Sequence, residues 1–452
     1  MSEQSMRIHI VGAGGAGMSA IAKVLAGIGH VVTGSDLRGG STLERLDDFG
    51  VSTYTGHRPD RMTDVDLVVA SSAVPDDDVE LVAAAASGKP VWRRPQLLGT
   101  ITERFPTIGA TGTHGKTTTT ALLIAALRGA GLDPSFIVGG DIAGLNTNGH
   151  FGNDDLLVIE ADEAFRTFEA MTLRGLVITN VEPEHLDHFG GVEQLVESFV
   201  RVARGVDGPV VACIDDPGAA EIARRAGTRT YGTSEDADWR IVDIDHQPGG
   251  VTFDLVGDAE AIRVEVHRPG VHVARNAAGA LALVGELGHD MAAAAEGVAR
   301  FQGIGRRWEH RGTVNGVMLI DDYAHHPTEI SSTLEASRGV VTGRIWAVFQ
   351  PHLYSRTERF HREFGQALAS ADVVVVTDIY GSREEPVPGI TGALVAEAVR
   401  DAGTEVHYIP HKGELADFLS DRVVAGDMVL TMGAGDITLL PAQLAALLGA
   451  AE

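Results

Sequence analysis

From Ile108 to Thr120 the chain reads Ile-Gly-Ala-Thr-Gly-Thr-His-Gly-Lys-Thr-Thr-Thr-Thr, and few folds accept that order of residues. An apolar approach, a glycine-rich turn, a Lys-Thr pair and the helix-compatible run Ala121 to Ala126 predict a strand, a loop and a helix in succession. With no Cβ at Gly112 and Gly115, the backbone N–H groups of such a loop can wrap phosphate oxygens, and the start of the helix adds partial positive charge. Lys116 would reach the β- and γ-phosphates and the Thr117 hydroxyl would hold Mg²⁺. The strict P-loop pattern wants glycine where this chain has Ala110, with glycines at 109 and 112 instead, so the loop is a variant. A turn that merely reverses the chain needs neither the lysine nor the hydroxyl. A nucleoside triphosphate is therefore the first expected ligand.

Composition narrows the partners. The 452 residues exceed one ordinary core and imply two to four domains. Asp and Glu number 62 against 36 Lys and Arg, a net charge of −26 that disfavours nucleic acid and obliges any nucleotide site to supply its own local cations. Cys213 is the only cysteine, which excludes an internal disulfide and a thiolate metal cluster. The stretch Met1 to Met6 is polar, and no run of about 18 apolar residues occurs, so a cytoplasmic protein without membrane insertion is expected.

Apolar strand-like runs alternate with helix-like stretches along most of the chain: Ile8 to Val11, Val31 to Thr33 and Leu67 to Ala70, then Leu156 to Ile159, Leu176 to Thr179 and Val210 to Ile214, then Val317 to Ile320, Ile345 to Phe349, Val373 to Thr377 and Met428 to Thr431. Trp239 to His267 breaks into short alternating segments around Gly249-Gly250 and Gly257. The expected fold class is α/β with three domains. These are a Rossmann-like N-terminal domain over 1–105, a central P-loop ATPase-like parallel sheet with a small antiparallel excursion over 106–311, and a Rossmann-like C-terminal domain over 312–452.

A second glycine-rich turn, Gly12-Ala13-Gly14-Gly15-Ala16-Gly17, follows the first strand and opens a helix, with Asp36 after the next strand at a spacing suited to a ribose hydroxyl. Alone, that motif suggests a nicotinamide-dependent dehydrogenase. Beside Lys116-Thr117 it points instead to an ATP-dependent enzyme acting on a nucleotide-linked substrate. Glu160-Ala161-Asp162-Glu163 and Asn180-Val181-Glu182-Pro183-Glu184-His185-Leu186-Asp187 end two predicted strands near the P-loop, and their oxygen donors, with one imidazole, suit Mg²⁺.

Taken with Asp321-Asp322-Tyr323-Ala324-His325-His326-Pro327, Phe349-Gln350-Pro351-His352-Leu353-Tyr354-Ser355-Arg356-Thr357 and Met432-Gly433-Ala434-Gly435-Asp436, these segments resemble the Mur ligase family over essentially the whole chain. The likeness is to its alanine-adding branch. It implies ATP-dependent ligation of L-alanine to the lactyl carboxylate of UDP-N-acetylmuramate through an acyl phosphate, by a monomer or homodimer using Mg²⁺. Carried over by position, Gly12, Gly14, Gly15, Gly17, Met18, Ser35, Asp36, Ser71, Ser72 and Ala73 would hold the UDP-sugar. Gly112, Thr113, His114, Gly115, Lys116, Thr117 and Thr118, with Asn276 and Arg307, would hold ATP. Thr117, Glu160 and His185 would serve Mg²⁺, with Glu163 as fallback, and Asp322, Tyr323, His325 and Arg356 would form the amino-acid site. Lys116, His114, His325 and Arg356 are the expected catalytic set, and His325 or His326 would handle the amine proton unless His326 only packs or caps its helix.

The chain departs from the family pattern in places. Ala164-Phe165-Arg166 replaces a small hydroxyl and an acid, Val273 follows His272 where Asn is common, and Leu353 stands where Arg is frequent. The stretch Val192 to Arg204 has arginines but no lysine that could be carbamylated, as in several sister ligases, which agrees with the alanine-adding branch. A paralogous peptide-adding ligase and a nucleotide-binding relative without catalysis are the alternatives.

Overall fold

The computed structural model describes residues 5–183, 189–247, 249–258, 261–382 and 384–450. The chain divides into two compact units, one made of Met1–Ile244, Thr252–Val266 and Ala274–Gln302, the other of Asp245–Val251, His267–Val273 and Gly303–Glu452. Its α/β architecture rests on three sheets in which parallel pairing dominates.

In the first unit, β1 (Arg7–Val11), β2 (Val31–Asp36), β3 (Ser52–Thr55), β4 (Leu67–Ala70) and β5 (Val91–Arg93) form a sheet of order β3-β2-β1-β4-β5 in which each of the four pairs is parallel. Strand order reverses at β1, which opens a crevice beyond the carboxyl ends of β1 and β4 where open α/β sheets take ligands. β2 runs to Asp36, three residues past the expected end at Thr33. The polar extension is sustained by a buried partner: Ser35 Oγ donates to Glu80 Oε2 at 2.5 Å, and Tyr54 Oη and the Arg58 N–H reach Glu80 Oε1 at 2.7 and 2.8 Å. Burial alone would raise the Glu80 pKa, but the hydrogen bonds from His9, Arg58, His57 and Ser35 win and hold it far below the usual carboxylate range.

The same unit carries a ten-stranded sheet of β6 (Thr107–Thr111), β7 (Ser135–Ile142), β8 (Thr147–His150), β9 (Leu157–Glu160), β10 (Gly175–Ile178), β11 (Val210–Cys213), β12 (Arg229–Gly232), β13 (Trp239–Gln247), β14 (Gly250–Val256) and β15 (Ala261–Val266). Its order is β15-β14-β13-β12-β11-β10-β6-β9-β7-β8. The links within β13-β14-β15 are too short for a parallel crossover, so the expected antiparallel excursion continues the main sheet rather than sitting apart from it. β6, fully buried, lies between β10 and β9, so the loops after all three strands open on one edge.

The helix Ala16–Ile28 is bonded to the β7-β8 end of this sheet. Lys23, nearly buried, donates to Asn148 Oδ1 at 2.8 Å and Thr147 Oγ1 at 3.1 Å, and Asn148 Nδ2 donates back to the Ala16 carbonyl at 2.7 Å. Gly149 permits the approach, since a Cβ there would stand 2.4 Å from the Ala20 carbonyl oxygen. The helix that follows one glycine-rich turn is thereby tied to the sheet that bears the other.

The second unit holds β16 (Glu309–Val314), β17 (Val317–Asp322), β18 (Ile345–Phe349), β19 (Val373–Val376), β20 (Glu405–Tyr408) and β21 (Met428–Met432), ordered β16-β17-β21-β18-β19-β20. Only β16 pairs antiparallel, and it begins before residue 312, where the sequence suggested the domain would start. Gly312, at φ +137°, sits at a register shift in β16. Apolar clusters cover both faces, one around Ile320, Phe349 and Leu430 and the other around Leu319, Trp346 and Val348.

Candidate active site

β6 delivers the chain into the P-loop, and the helix Lys116–Gly129 starts directly behind it. The loop is stapled to the segment after β10. Thr113 N–H donates to the Asn180 carbonyl at 2.9 Å and His114 N–H to Asn180 Oδ1 at 2.8 Å, while Thr179 Oγ1 and Asn180 Nδ2 both donate to the His114 carbonyl. His114 Nε2 stands 3.6 Å from Glu182 Oε2. Gly115 adopts φ +81°, and a Cβ there would lie 2.8 Å from Asn276 Oδ1, so the expected nucleotide residues of this unit do come together.

Lys116 crosses its own loop. Its Nζ donates to the Gly112 carbonyl at 2.6 Å and the Thr113 carbonyl at 3.0 Å, and it meets Glu163 Oε2 at 2.8 Å. Burial pulls the Lys116 pKa down, but the charges of Glu163, Asp162 and Glu160 outweigh it and raise it above its ordinary value, so the ammonium is secure. Burial pushes the Glu163 carboxyl up to about 7 against the pull of Lys116. Glu160, at the end of β9, instead accepts from the Gly139 N–H at 2.9 Å. Thr117 is buried in the first helical turn beside the partly exposed Thr118. His185 lies outside the described residues.

The substituted stretch falls in the 3₁₀ helix Ala164–Ala170, where Arg166 adopts φ +56°. Its guanidinium pairs with Glu169 at 2.9 Å and lies over the Phe189 ring, so the added cation is taken up locally and Glu163 keeps Lys116.

At the first turn, the N–H groups of Gly12 and Ala13 donate to the Ser35 carbonyl, and Gly14 N–H donates to Asp36 Oδ2 at 3.0 Å. Gly12 packs on Ser71, a Cβ there standing 3.1 Å from Ser71 Cβ, and Ser71 Oγ accepts from the Ala73 N–H within the turn that holds Ser72. Ser35 is fully buried with its hydroxyl spent on Glu80, and Met18 is 2% exposed. Neither side chain faces the turn, which leaves to Met18 its backbone amide in the first turn of Ala16–Ile28 beside Gly15 and Gly17.

In the second unit, Asp322, Tyr323, His325 and Arg356 gather with Arg307. Tyr323 stacks beneath the guanidinium groups of Arg306 and Arg307, each 5.0 Å from the ring centre. The His325 ring meets Tyr323 and His352 edge-on, and Arg356 reaches His352 Nδ1 at 3.5 Å. His325 Nδ1 lies 2.9 Å from the Tyr323 carbonyl, which makes that nitrogen the donor and Nε2 the acceptor of a neutral ring. Burial pulls the His325 pKa down to about 4, Glu329 opposing and Arg356 adding to it, so the ring is neutral at neutral pH. Asp322 accepts from Trp308 N–H at 2.6 Å and Ala324 N–H at 2.7 Å, and burial pushes its carboxyl up to about 6 against the charge of Arg307. His326 is the N-cap residue of the helix Pro327–Arg338 and packs edge-on against Phe360.

Sequence reasoning missed Glu329. Its carboxylate accepts from the backbone N–H groups of His325 and His326 and stands 3.8 Å from Arg307, so it organises the whole group. Its spacing of three from the N-cap residue is the capping-box pattern, a signal that could have found it. Leu353, at φ +69°, begins the helix Tyr354–Leu368 in a strained conformation next to His352 and Arg356.

A P-loop stapled between two acid-bearing loops, together with a second glycine-rich turn on a five-stranded parallel sheet, defines a nucleotide-binding α/β enzyme of the ATP-dependent kind. Three family models match in succession: the Mur ligase family catalytic domain over residues 7–106, the Mur ligase middle domain over 110–284 and the Mur ligase glutamate ligase domain over 306–435. The chain belongs to the Mur ligase family. It is 44% identical to a UDP-N-acetylmuramate–L-alanine ligase of Saccharopolyspora erythraea over 97% of this chain and 93% of that protein. A protein of the same name from Kineococcus radiotolerans is 43% identical, covering 98% and 96%. Among solved structures, a UDP-N-acetylmuramate-alanine ligase from Thermotoga maritima superposes with a TM-score of 0.86 at 28% identity, over 99% of this chain and all of the other.

Proposed function

We propose that this chain is an ATP-dependent ligase that joins L-alanine to the lactyl carboxylate of UDP-N-acetylmuramate, a step in making the peptidoglycan precursor. The observation that carries this reading is full-length identity above 40% with relatives bearing that activity in their name. ATP and a nucleotide sugar as co-substrates also fit the cytoplasmic location expected from the sequence. No helix among the described residues is long and apolar enough to cross a membrane.

The chemistry follows from what a carboxylate lacks. Its oxygen leaves only once phosphorylated, so the lactyl carboxylate attacks the γ-phosphorus of ATP, expels ADP and becomes an acyl phosphate, and the neutral alanine amine then attacks its carbonyl carbon and expels phosphate, which carries off the amine proton. In this reading residues 112–118 cradle the phosphates, Asn276 and Arg307 assist the nucleotide, and the Lys116 ammonium offsets the charge on the transferring group. The ion pair with Glu163 holds that ammonium charged in a buried place. Thr117 and Glu160, with Glu163 as fallback, offer hard oxygen donors that fit Mg²⁺, which His185 would join, and the ion's charge would further neutralise the phosphates. His114, hydrogen-bonded into the loop through its backbone, would lie beside the reacting carboxylate. Asp322, Tyr323, His325 and Arg356 would receive alanine. Because His325 is neutral with Nε2 as acceptor, it would hold the amine by accepting a hydrogen bond, and its low basicity makes it a poor final home for the proton.

The direct test is phosphate release with ATP, Mg²⁺ and UDP-N-acetylmuramate, adding L-alanine, glycine, L-serine or the L-alanyl-γ-D-glutamyl-diaminopimelate tripeptide in turn. Release should require the sugar nucleotide and be fastest with L-alanine, with glycine behind by about 10-fold or more, as expected when a pocket loses one methyl contact. Release with the tripeptide alone would move the chain to a peptide-adding ligase.

A further inference from the structure

Arg94 stands in neither glycine-rich motif, yet the fold brings its guanidinium against the first. It occupies the first position of the helix Arg94–Arg104, directly after β5, where a cation works against the helix dipole and no acidic residue in the first turn compensates. The preceding Arg93 turns the other way and donates to the carbonyls of Ser71 and Val74, fixing the loop after β4. Arg94 reaches across to Gly17 in the first turn of Ala16–Ile28. A Cβ at residue 17 would stand 3.2 Å from the Arg94 Cζ and 3.4 Å from both terminal nitrogens, so glycine is what lets the guanidinium lie this close to the turn. The Nε atom is buried and has no hydrogen-bond partner among the described residues. Among the described residues the carboxylate paired with it is Asp162 Oδ2, 3.8 Å from Nη1, which is at the outer limit of an ion pair. The side chain keeps 23% of its surface exposed, so an anion arriving from solvent can complete a guanidinium whose buried Nε is costly to leave unpaired.

We propose that Arg94 binds the diphosphate of the sugar nucleotide, closing over the amides of the first glycine-rich turn. This rests on the reading that the N-terminal turn is the sugar-nucleotide site. The fork of N–H donors would pair with phosphate oxygens from the side opposite the turn's backbone, in the two-point geometry that guanidinium forms with phosphate. Asp162 precedes Glu163 on the loop that holds Lys116, so a single arginine touches both the diphosphate site and the acidic loop of the ATP site.

Calorimetric titration without ATP, using UDP-N-acetylmuramate and UDP as separate probes, tests this. Arg94→Ala should weaken both by about 10- to 100-fold, and Arg94→Lys should recover part of the loss, because an ammonium keeps the charge and lacks the fork. Asp162→Asn, which removes the competing carboxylate, should bind both probes as well as the parent protein or more tightly. A loss confined to UDP-N-acetylmuramate would mean that Arg94 serves the lactyl carboxylate and would overturn the diphosphate assignment. Undiminished binding in Arg94→Ala, or a loss in Asp162→Asn matching that of Arg94→Ala, would also overturn it, the latter by reducing the pair to a structural link. Failure of the parent protein to bind either probe would instead count against the sugar-nucleotide site itself.

Discussion

Lys116→Ala is expected to lower single-turnover phosphate release by about 10³-fold or more, equivalent to about 4 kcal/mol of transition-state stabilisation, while UDP-N-acetylmuramate binding stays within about threefold of the parent. The lysine's charge is held in place by buried acid, and the N-terminal glycine-rich turn, the proposed sugar-nucleotide site, lies on a different sheet. The variant should nevertheless fold. Removing one partner of a buried ion pair usually costs about 3–5 kcal/mol because a bare charge remains. Here burial already holds the Glu163 carboxyl at about 7, so it can take up a proton and escape most of that cost. Release within tenfold of the parent would remove Lys116 from the phosphate site.

Gly112→Ala should be nearly as damaging by a different route. The residue adopts φ +133°, a conformation that side chains strongly resist, and a Cβ would fall 2.2 Å from Thr179 Oγ1 and 2.7 Å from the Asn180 carbonyl oxygen. Neither neighbour can give way freely. Thr179 Oγ1 is hydrogen-bonded to the carbonyls of Thr111 and His114, and the Asn180 carbonyl accepts from Thr113. The loop must therefore detach from the segment after β10, at a cost of about 3 kcal/mol or more and with loss of ATP binding. Gly131→Ala is the control. It also has positive φ, at +89°, but nothing lies within 4 Å of its would-be Cβ, so a loss of only about 1 kcal/mol is expected. Equal melting temperatures for the two variants would refute the steric argument.

The parts of the fold that were legible are those whose chemistry is uniform. Strands buried on both faces, such as β4, β18 and β19, read as short unbroken apolar runs because parallel sheets are covered by helices on each side. β7 and β8 were missed because Gly139-Gly140 and Thr147-Asn148-Gly149 carry little strand signal. Their glycine and polar residues serve contact instead, Gly149 admitting a helix and Asn148 binding it. The buried Lys23 was illegible for the same reason, since a lysine within a helix ordinarily faces water and only the fold supplies Thr147 and Asn148 as partners.

Within the candidate site, motif spacing identified the two turns, while the Asp322-Tyr323-Ala324-His325 group came in only with the resemblance, which also supplied the roles. Spacing could not say which carboxylate of Glu160-Ala161-Asp162-Glu163 reaches Lys116. Only the turn of the backbone after β9 sends Glu163 inward and leaves Glu160 on the Gly139 amide. Likewise Ser35 and Asp36 are adjacent in sequence but part company at the end of β2, one toward buried Glu80 and the other toward Gly14.

The central claim is that a carboxylate is activated by ATP and then captured by the amine of alanine. It is tested most directly by supplying UDP-N-acetylmuramate labelled with ¹⁸O in both oxygens of its lactyl carboxylate, together with ATP, Mg²⁺ and L-alanine. Mass analysis then follows the label into the released phosphate and the amide product. Passage through an acyl phosphate leaves one labelled oxygen in each phosphate released and one in each amide formed. Phosphate released without label would contradict the account, because the carboxylate oxygen would then never have been bonded to phosphorus.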